Sequence, residues 1–206
     1  MAEQGVNRKR TYRLKARADR QQATRLRIVE AAAALHDEVG PARTTVADIA
    51  RRAGVQRLTV YNNFPDERSL FDACGLHWMS EHPMPAALSE AMSEADPRLA
   101  LGGALESLYG WYRQHRQTHE NLQRDRLLLP ALDHVMKFRM DHQMSDLAAG
   151  LAGRFNDEGR SGMVRAAVAL ALDFWTWRRL WQAGISDSEA SQLMVKTVCS
   201  ASAVRA

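Results

Sequence analysis

Cysteine is nearly absent, with Cys74 and Cys199 the only two in 206 residues. Two thiols make no disulfide framework and lack zinc-site spacing, and they fit a reducing, cytoplasmic setting. No run of about eighteen apolar residues occurs, so no membrane-spanning helix is expected. The first residues, MAEQGVNRKRTYRLKARADR, are basic but have no apolar stretch, which excludes a secretory signal. Alternating β-branched runs with hairpin turns are missing, so the chain reads as all-α. There is no nucleophile motif, phosphate loop, HExxH or paired-carboxylate spacing, so neither an enzyme nor a cofactor is expected. No Gly/Ser linker divides the chain either.

What is present is an uneven distribution of charge. The net charge is only +4. Residues 1–64 nevertheless hold thirteen Lys/Arg against six Asp/Glu, a balance of +7, while the remaining 142 carry −3. A basic first third on a mildly acidic body suggests a polyanion-binding module joined to something that need not touch the polyanion.

The chain divides into a flexible basic arm, 1–20, a small basic domain, 21–64, and a helical body, 65–206. Within 21–39, Leu26, Val29, Ala33 and Leu35 fall near one helical face, with Ile28 and Ala32 beside it, and Gly40-Pro41 stops the helix. Thr45 stands three residues before Asp48, the spacing of a capping box, so a short helix follows with Val46, Ile49, Ala50 and Ala53 inward. Gly54 suits a left-handed turn. A third helix runs over 56–63, and Pro65 opens a connecting helix, 65–81, with Leu70, Phe71, Cys74 and Trp78 on its buried side. Long helices are expected from Asp96-Pro97 to about Thr118, from Pro130 to Phe155, and from Ser161 or Gly162 to Gly184. A short one occupies 119–128, and residues 156–162 form a loop. Ser186 and Glu189 cap a last helix to about Ser202.

The third helix carries the functional signal. With Val60 at the centre of its buried side, 100° per residue puts Phe64 and Gln56 within about 40° of it. Leu58 and Asn62 then point away, Thr59 and Tyr61 flank, and Arg57 sits at the N-terminal end. A major groove admits one α-helix, and such a face meets it with donors, acceptors and an apolar group for a thymine methyl. The free backbone donors at Thr45 suit a phosphate. Together the two short helices have helix-turn-helix geometry. In the arm, Arg8, Lys9, Arg10, Arg13, Lys15 and Arg17 would be drawn to the DNA backbone or to a narrow minor groove.

TTVADIARRAGVQRLTVYNNFPDERSLF resembles the DNA-binding domain of the tetracycline-repressor (TetR) family, through the A-G-V turn, the T-V-Y-N-N-F helix and the following Phe-Pro. DFWTWRRLWQAG in the body is also similar to members of the family. The resemblance implies an N-terminal three-helix DNA-binding domain and a C-terminal ligand-binding and dimerisation domain. It implies a homodimer on a palindromic double-stranded DNA operator, repressing transcription until a small-molecule effector enters the body. Thr45, Gln56, Thr59, Tyr61 and Asn63 match phosphate-contacting places, and Arg57, Leu58 and Asn62 match places that commonly face bases. Many relatives have a phosphate-binding lysine where this chain has Glu67, which cannot make that contact, and Arg68 is the candidate to replace it.

In the body, Ala166–Trp177 is apolar or small on nearly every face, more than one buried side needs, so a partner subunit is expected to cover part of it. Leu193, Met194, Val195, Val198 and Cys199 would complete that interface. Met136, Met140 and Met144 recur every four residues near Phe138. With Leu108, Trp111, Tyr112, His115 and Trp175, they are either a core stripe or the lining of an adaptable effector pocket. His115 and His119 have the spacing of a metal pair, but RQHRQTHE reads as a solvated helix end, and no metal site is expected. The alternatives are a metal- or redox-responsive regulator on the same scaffold and, with no motif in its favour, an enzyme using the histidines and carboxylates of the body.

Overall fold

The computed structural model describes residues 3–155 and 161–203, with 3–13 and 161 described as backbone alone. Among them every regular element is helical: α1 (Glu3–Glu38), α2 (Val46–Ala53), α3 (Arg57–Asn63), α4 (Glu67–Glu81), α5 (Ala87–Glu90), α6 (Pro97–Gln114) and α7 (Arg116–Asp125). Then come α8 (Pro130–Met136), a π-helical turn (Lys137–Asp141), α9 (His142–Gly153), α10 (Ser161–Leu172), α11 (Phe174–Gln182) and α12 (Asp187–Ala203). None of these helices is long and apolar enough to cross a membrane.

Helix α1 departs from expectation at its start. The stretch read as a flexible arm is already helical from Glu3, because nothing between Val6 and Glu38 is Gly or Pro and Arg, Lys, Ala and Gln favour helix. Its buried face is also rotated. Ile28, Val29, Ala32 and His36 are buried, whereas Leu26 is about half exposed.

The head is built around Ile28, Ala32, Ile49, Val60 and Phe64, joined by Leu70 and Cys74 from α4. Burying Val60 and Phe64, which are 1% and 3% exposed, stabilises the head by roughly 1.5–3 kcal/mol each. The capping box forms as expected: the Asp48 N–H donates to Thr45 Oγ1 and the Thr45 N–H to the Asp48 carboxylate. Gly54 ends α2 at φ 65°, ψ 39°, and its N–H closes onto carbonyls of the last turn. Asp66 caps α4, so Pro65 stands before the helix instead of in its first turn.

Helix α4 serves two cores at once. Leu70 and Cys74 face the head, while Phe71 packs against Leu132, Val135 and Met136 of α8. The main core of the body lies between α6, α9, α10, α11 and α12, around Leu105, Leu108, Tyr109, Val168 and Trp177.

Three long helices of the sequence reading are each interrupted. The helix opened by the Asp96 cap and Pro97 ends at Gln114, and His115 separates it from α7. The helix from Pro130 widens into the π turn before α9. The helix from Ser161 stops at Leu172, where Asp173 accepts from the Thr176 N–H and starts α11. Tyr109 and Tyr112 donate to the carbonyls of Ala171 and Leu172, at 2.7 and 2.8 Å, and so satisfy groups the break sets free. The expected loop at 156–162 falls mostly outside the described residues.

RQHRQTHE is not a solvated end. Thr118, His119 and Asn121 are buried, because α7 is wedged between the head and the body core.

Candidate nucleic-acid interface

Helix α3 turns its hydrophilic flank to solvent, held from behind by Val60. Arg57 and Asn62 are exposed, as are Leu58 at 65% and Tyr61 at 53%, and Thr59 is half-buried between them. Gln56 is the exposed N-cap residue and makes no side-chain cap bond, so its amide is free. Thr45 is exposed at the start of α2, with its hydroxyl spent on Asp48. Asn63 differs from the others. It is half-buried, and its Nδ2 donates to the Thr59 carbonyl at 2.7 Å, so that N–H is used within its own helix.

One residue that fixes this surface escaped the sequence reading. The Arg25 guanidinium lies 4.0 Å from the Phe64 ring centroid and donates to the carbonyl of Asn63, so α1 grips the C-terminal end of α3. A cation near a helix C-terminus also meets the negative end of its dipole. Nothing in the spacing of 25 and 63 marks the pair. Glu38 and Arg52 make a bidentate pair, at 2.7 and 2.8 Å, that fixes α2 on α1.

In the head the exposed charges are mainly positive. Lys15, Arg17 and Arg20 on α1 are exposed, as are Arg43, Arg51 and Arg57. The side chains of Arg8, Lys9, Arg10 and Arg13 lie outside the described residues. Glu67 and Arg68 are both exposed on the first turn of α4.

An arginine-tipped, solvent-facing helix on a two-helix turn, backed by a basic α1, is the arrangement of a duplex reader. Comparison with known proteins agrees. Residues 28–74 match the model of the bacterial regulatory proteins of the tetR family. An uncharacterized HTH-type transcriptional regulator of Mycobacterium bovis is 32% identical over 151 residues, 71% of this chain and 72% of its own.

The chain belongs to the TetR family.

It is a DNA-binding transcriptional regulator. The HTH-type transcriptional regulator TtgR of Pseudomonas putida is 42% identical over 78 residues, 37% of this chain and 36% of its own, so that likeness is local. A TetR-like transcriptional regulator from Rhodococcus sp. RHA1 has the same fold at 21% identity, with a TM-score of 0.60 over 85% of this chain and 93% of that one. RolR, solved in complex with resorcinol, superposes with a TM-score of 0.52 at 19% identity, over 91% and 97%.

Among the described residues, three of the cavities lie in the body or between it and α1. The first, about 100 Å³, lies between α1, α4, α7 and α8, and its wall of Phe71, Cys74, Trp78, Met136 and Met140 is almost wholly apolar. The second, about 400 Å³ and of mixed polar and apolar lining, includes His115 with His77, His82, Glu30 and Glu81. The third, about 370 Å³, includes Tyr112, His119, Met140, Met144 and Phe174.

The residues expected to line one effector pocket are therefore dispersed. Met136 faces only the first cavity, Met144 only the third and Met140 both, because the π turn spoils the four-residue register. Leu108 is fully buried in the core, and Trp111 is buried among aromatic rings; neither lines a cavity. Trp175 is 44% exposed on the outer face of α11. Phe138, expected near the methionines, is 78% exposed.

Burial sets the titration of three groups beside these cavities. It pushes the His119 pKa down to about 3, with the neighbouring His115 adding to the effect, and the His36 pKa down to about 4 against the pull of Asp125. Burial likewise pushes the Cys74 thiol up to about 12, so at neutral pH it carries no reactive thiolate and gives a redox reading no support. Asp133 and Asp141 both pair with Arg126, at 2.9 and 2.6 Å, and are not free to bind a metal.

Proposed function

We propose that this regulator acts as a homodimeric repressor on a palindromic operator, with α3 in the major groove and a small molecule as the releasing signal. The observation that carries the reading is the exposed flank of α3. Leu58 and Tyr61 would be unfavourable on an idle surface, yet both stand beside Arg57 and Asn62. In the groove, Arg57 meets a guanine edge, Leu58 a thymine methyl and Asn62 a base edge. Gln56, Thr59, Tyr61 and the Thr45 end of α2 meet phosphates; Asn63 contributes through its free amide oxygen. Lys15 and Arg17, with the basic residues before them, add backbone attraction.

Dimerisation is supported by an apolar surface on α10, α11 and α12. Met163, Leu170, Trp175, Trp181 and Leu193 are 37–59% exposed, a face suited to a four-helix contact with a second copy. In a helix-turn-helix dimer, half-sites about 34–36 Å apart meet the paired reading helices. Effector release is supported by the cavity at the head–body junction, since a guest there would push on α4. The resorcinol complex of RolR offers a precedent on a similar fold.

The test is fluorescence anisotropy with duplexes selected from a random library at low salt. The expected result is a palindromic consensus bound by two chains. A protein that binds no duplex, or that binds every duplex equally, would refute the reading.

A further inference from the structure

The first cavity lies where the head meets the body. Ala33 of α1, Phe71 and Cys74 of α4, Leu122 of α7, and Leu132 and Val135 of α8 form its apolar walls. Four thioethers, Met79, Met84, Met136 and Met140, add to the lining. Thioethers are unbranched and polarizable, so they reshape around a guest and pack well on a hydrocarbon face.

The polar groups of the lining have little to offer a ligand. Arg139 pairs with Asp72 at 2.7 Å, Thr118 donates to the Asp37 carboxylate, and the Cys74 thiol lies 3.8 Å from the Val29 carbonyl. Gln143 is exposed to solvent. His36 is buried, its ring 5.5 Å from that of Phe71, and burial keeps it uncharged at neutral pH. A charged guest therefore finds no free ion of opposite sign, and a polar one finds a single neutral imidazole. The other two cavities differ, since Glu30 and Glu81 line the second, and Arg165, Asp141 and Asp173 line the third.

The size is also restrictive. The space of about 100 Å³ is smaller than an apolar cavity of about 150 Å³ that stays dry and takes up benzene or xenon. One part of the wall is open, because a Cβ added at Gly75 would meet no heavy atom within 4 Å.

We infer that this cavity is the effector site and takes a compact, uncharged hydrocarbon, about one ring in size and without a hydrogen-bonding group. The inference rests on the effector reading above and gives it a place and a ligand class. Phe71 packs with Leu132, Val135 and Met136, while Leu70 and Cys74 carry the same α4 into the head core. A guest that spreads these walls shifts α4 against α8, and the head moves with it.

The probes are toluene, phenol and benzoate, titrated against the full-length protein by calorimetry, with operator occupancy followed by anisotropy in parallel. Toluene is expected to bind about tenfold tighter than phenol, whose hydroxyl is poorly partnered in this lining, and benzoate is expected not to bind. Gly75→Leu puts a side chain on the cavity wall and favours the helix, and it is expected to weaken toluene about tenfold or more. Crystals of the unaltered protein under xenon need no variant, and the atom is expected between Cys74 and Met136.

Phenol or benzoate binding as tightly as toluene would overturn the inference. So would unchanged toluene affinity in folded Gly75→Leu, or xenon found only in the other cavities. Failure of toluene to bind a protein that still holds its operator would overturn it too, and would leave the repressor reading standing. Toluene binding in the expected order without loss of DNA supports the site and ligand class and removes the release reading instead.

Discussion

Asn121 on α7 donates from Nδ2 to the carbonyl of Asp37 at 2.8 Å, and so joins the buried centre of the body to the last turn of α1. The same nitrogen lies 3.2 Å from the His36 carbonyl. Thr118, one turn earlier, donates to the Asp37 carboxylate, and Asp125, one turn later, accepts from the Ala42 N–H at 2.9 Å. Burial works to raise the Asp125 pKa, but Arg124 and the Ala42 N–H outweigh it and hold the carboxyl below its ordinary value. A stripe at 118, 121 and 125 is one face of a helix, so α7 holds the head along its length.

Removing the middle of this stripe tests its importance. Asn121→Ala leaves two carbonyls at a buried junction short of a donor, and the expected loss is about 1–3 kcal/mol in urea unfolding. Unchanged stability would show that the stripe is incidental.

Two glycines separate backbone conformation from space. Gly54→Ala places a side chain at φ 65° with nothing within 4 Å, so the expected cost is about 1 kcal/mol. Gly40→Ala, at φ 93°, also drives a methyl group into Arg124 and Asp125. Its melting temperature is expected to fall well below that of Gly54→Ala, and the reverse order in calorimetry would contradict the packing of α7 on the head.

Acid sensitivity follows from the buried imidazoles. His36 has a folded pKa near 4 against an ordinary value of 6.5. Between these values the unfolded chain binds a proton that the folded one refuses, so its contribution is complete above pH 6.5 and lost as pH falls toward 4. The loss is about 3 kcal/mol for His36, and His119, held near 3, adds a further loss in the same direction. Urea unfolding at pH 7 and pH 5 is expected to show lower stability at pH 5, with a smaller difference in His119→Phe. Equal differences in the two proteins would argue against a buried neutral His119.

The reading helix is tested by two substitutions with opposite signatures. Arg57→Ala is expected to cost about 1–3 kcal/mol and to relax base choice at one operator position. Tyr61→Phe is expected to weaken all sequences alike. Anisotropy titrations against operator variants distinguish them, and a uniform effect of Arg57→Ala would remove its assigned role.

Deleting residues 1–17 measures the basic arm. Each phosphate contact contributes roughly 0.9 to the logarithmic salt slope, so the truncated protein is expected to bind with a flatter dependence. An identical slope would mean that these residues leave the DNA alone.

The head was largely legible in the residues. The Thr45–Asp48 box, the Gly54 turn and the inward Val60 and Phe64 are local patterns, each fixed by hydrogen bonds or periodicity within a few residues. The body was less legible. The Asp173 break depends on tyrosines about sixty residues away, and the π turn displaces methionines that a regular helix would align.

By itself, then, the sequence determined the all-α class, the basic head, the caps and the outward flank of α3, because short-range sterics and hydrogen bonding decide these. Only the tertiary structure decided that α7 is buried, that Arg25 grips α3, and that His119 and Trp111 share a cluster with unpaired nitrogens. Those contacts join residues far apart in the chain, and burial, set by everything packed around a group, governs both its partners and its charge.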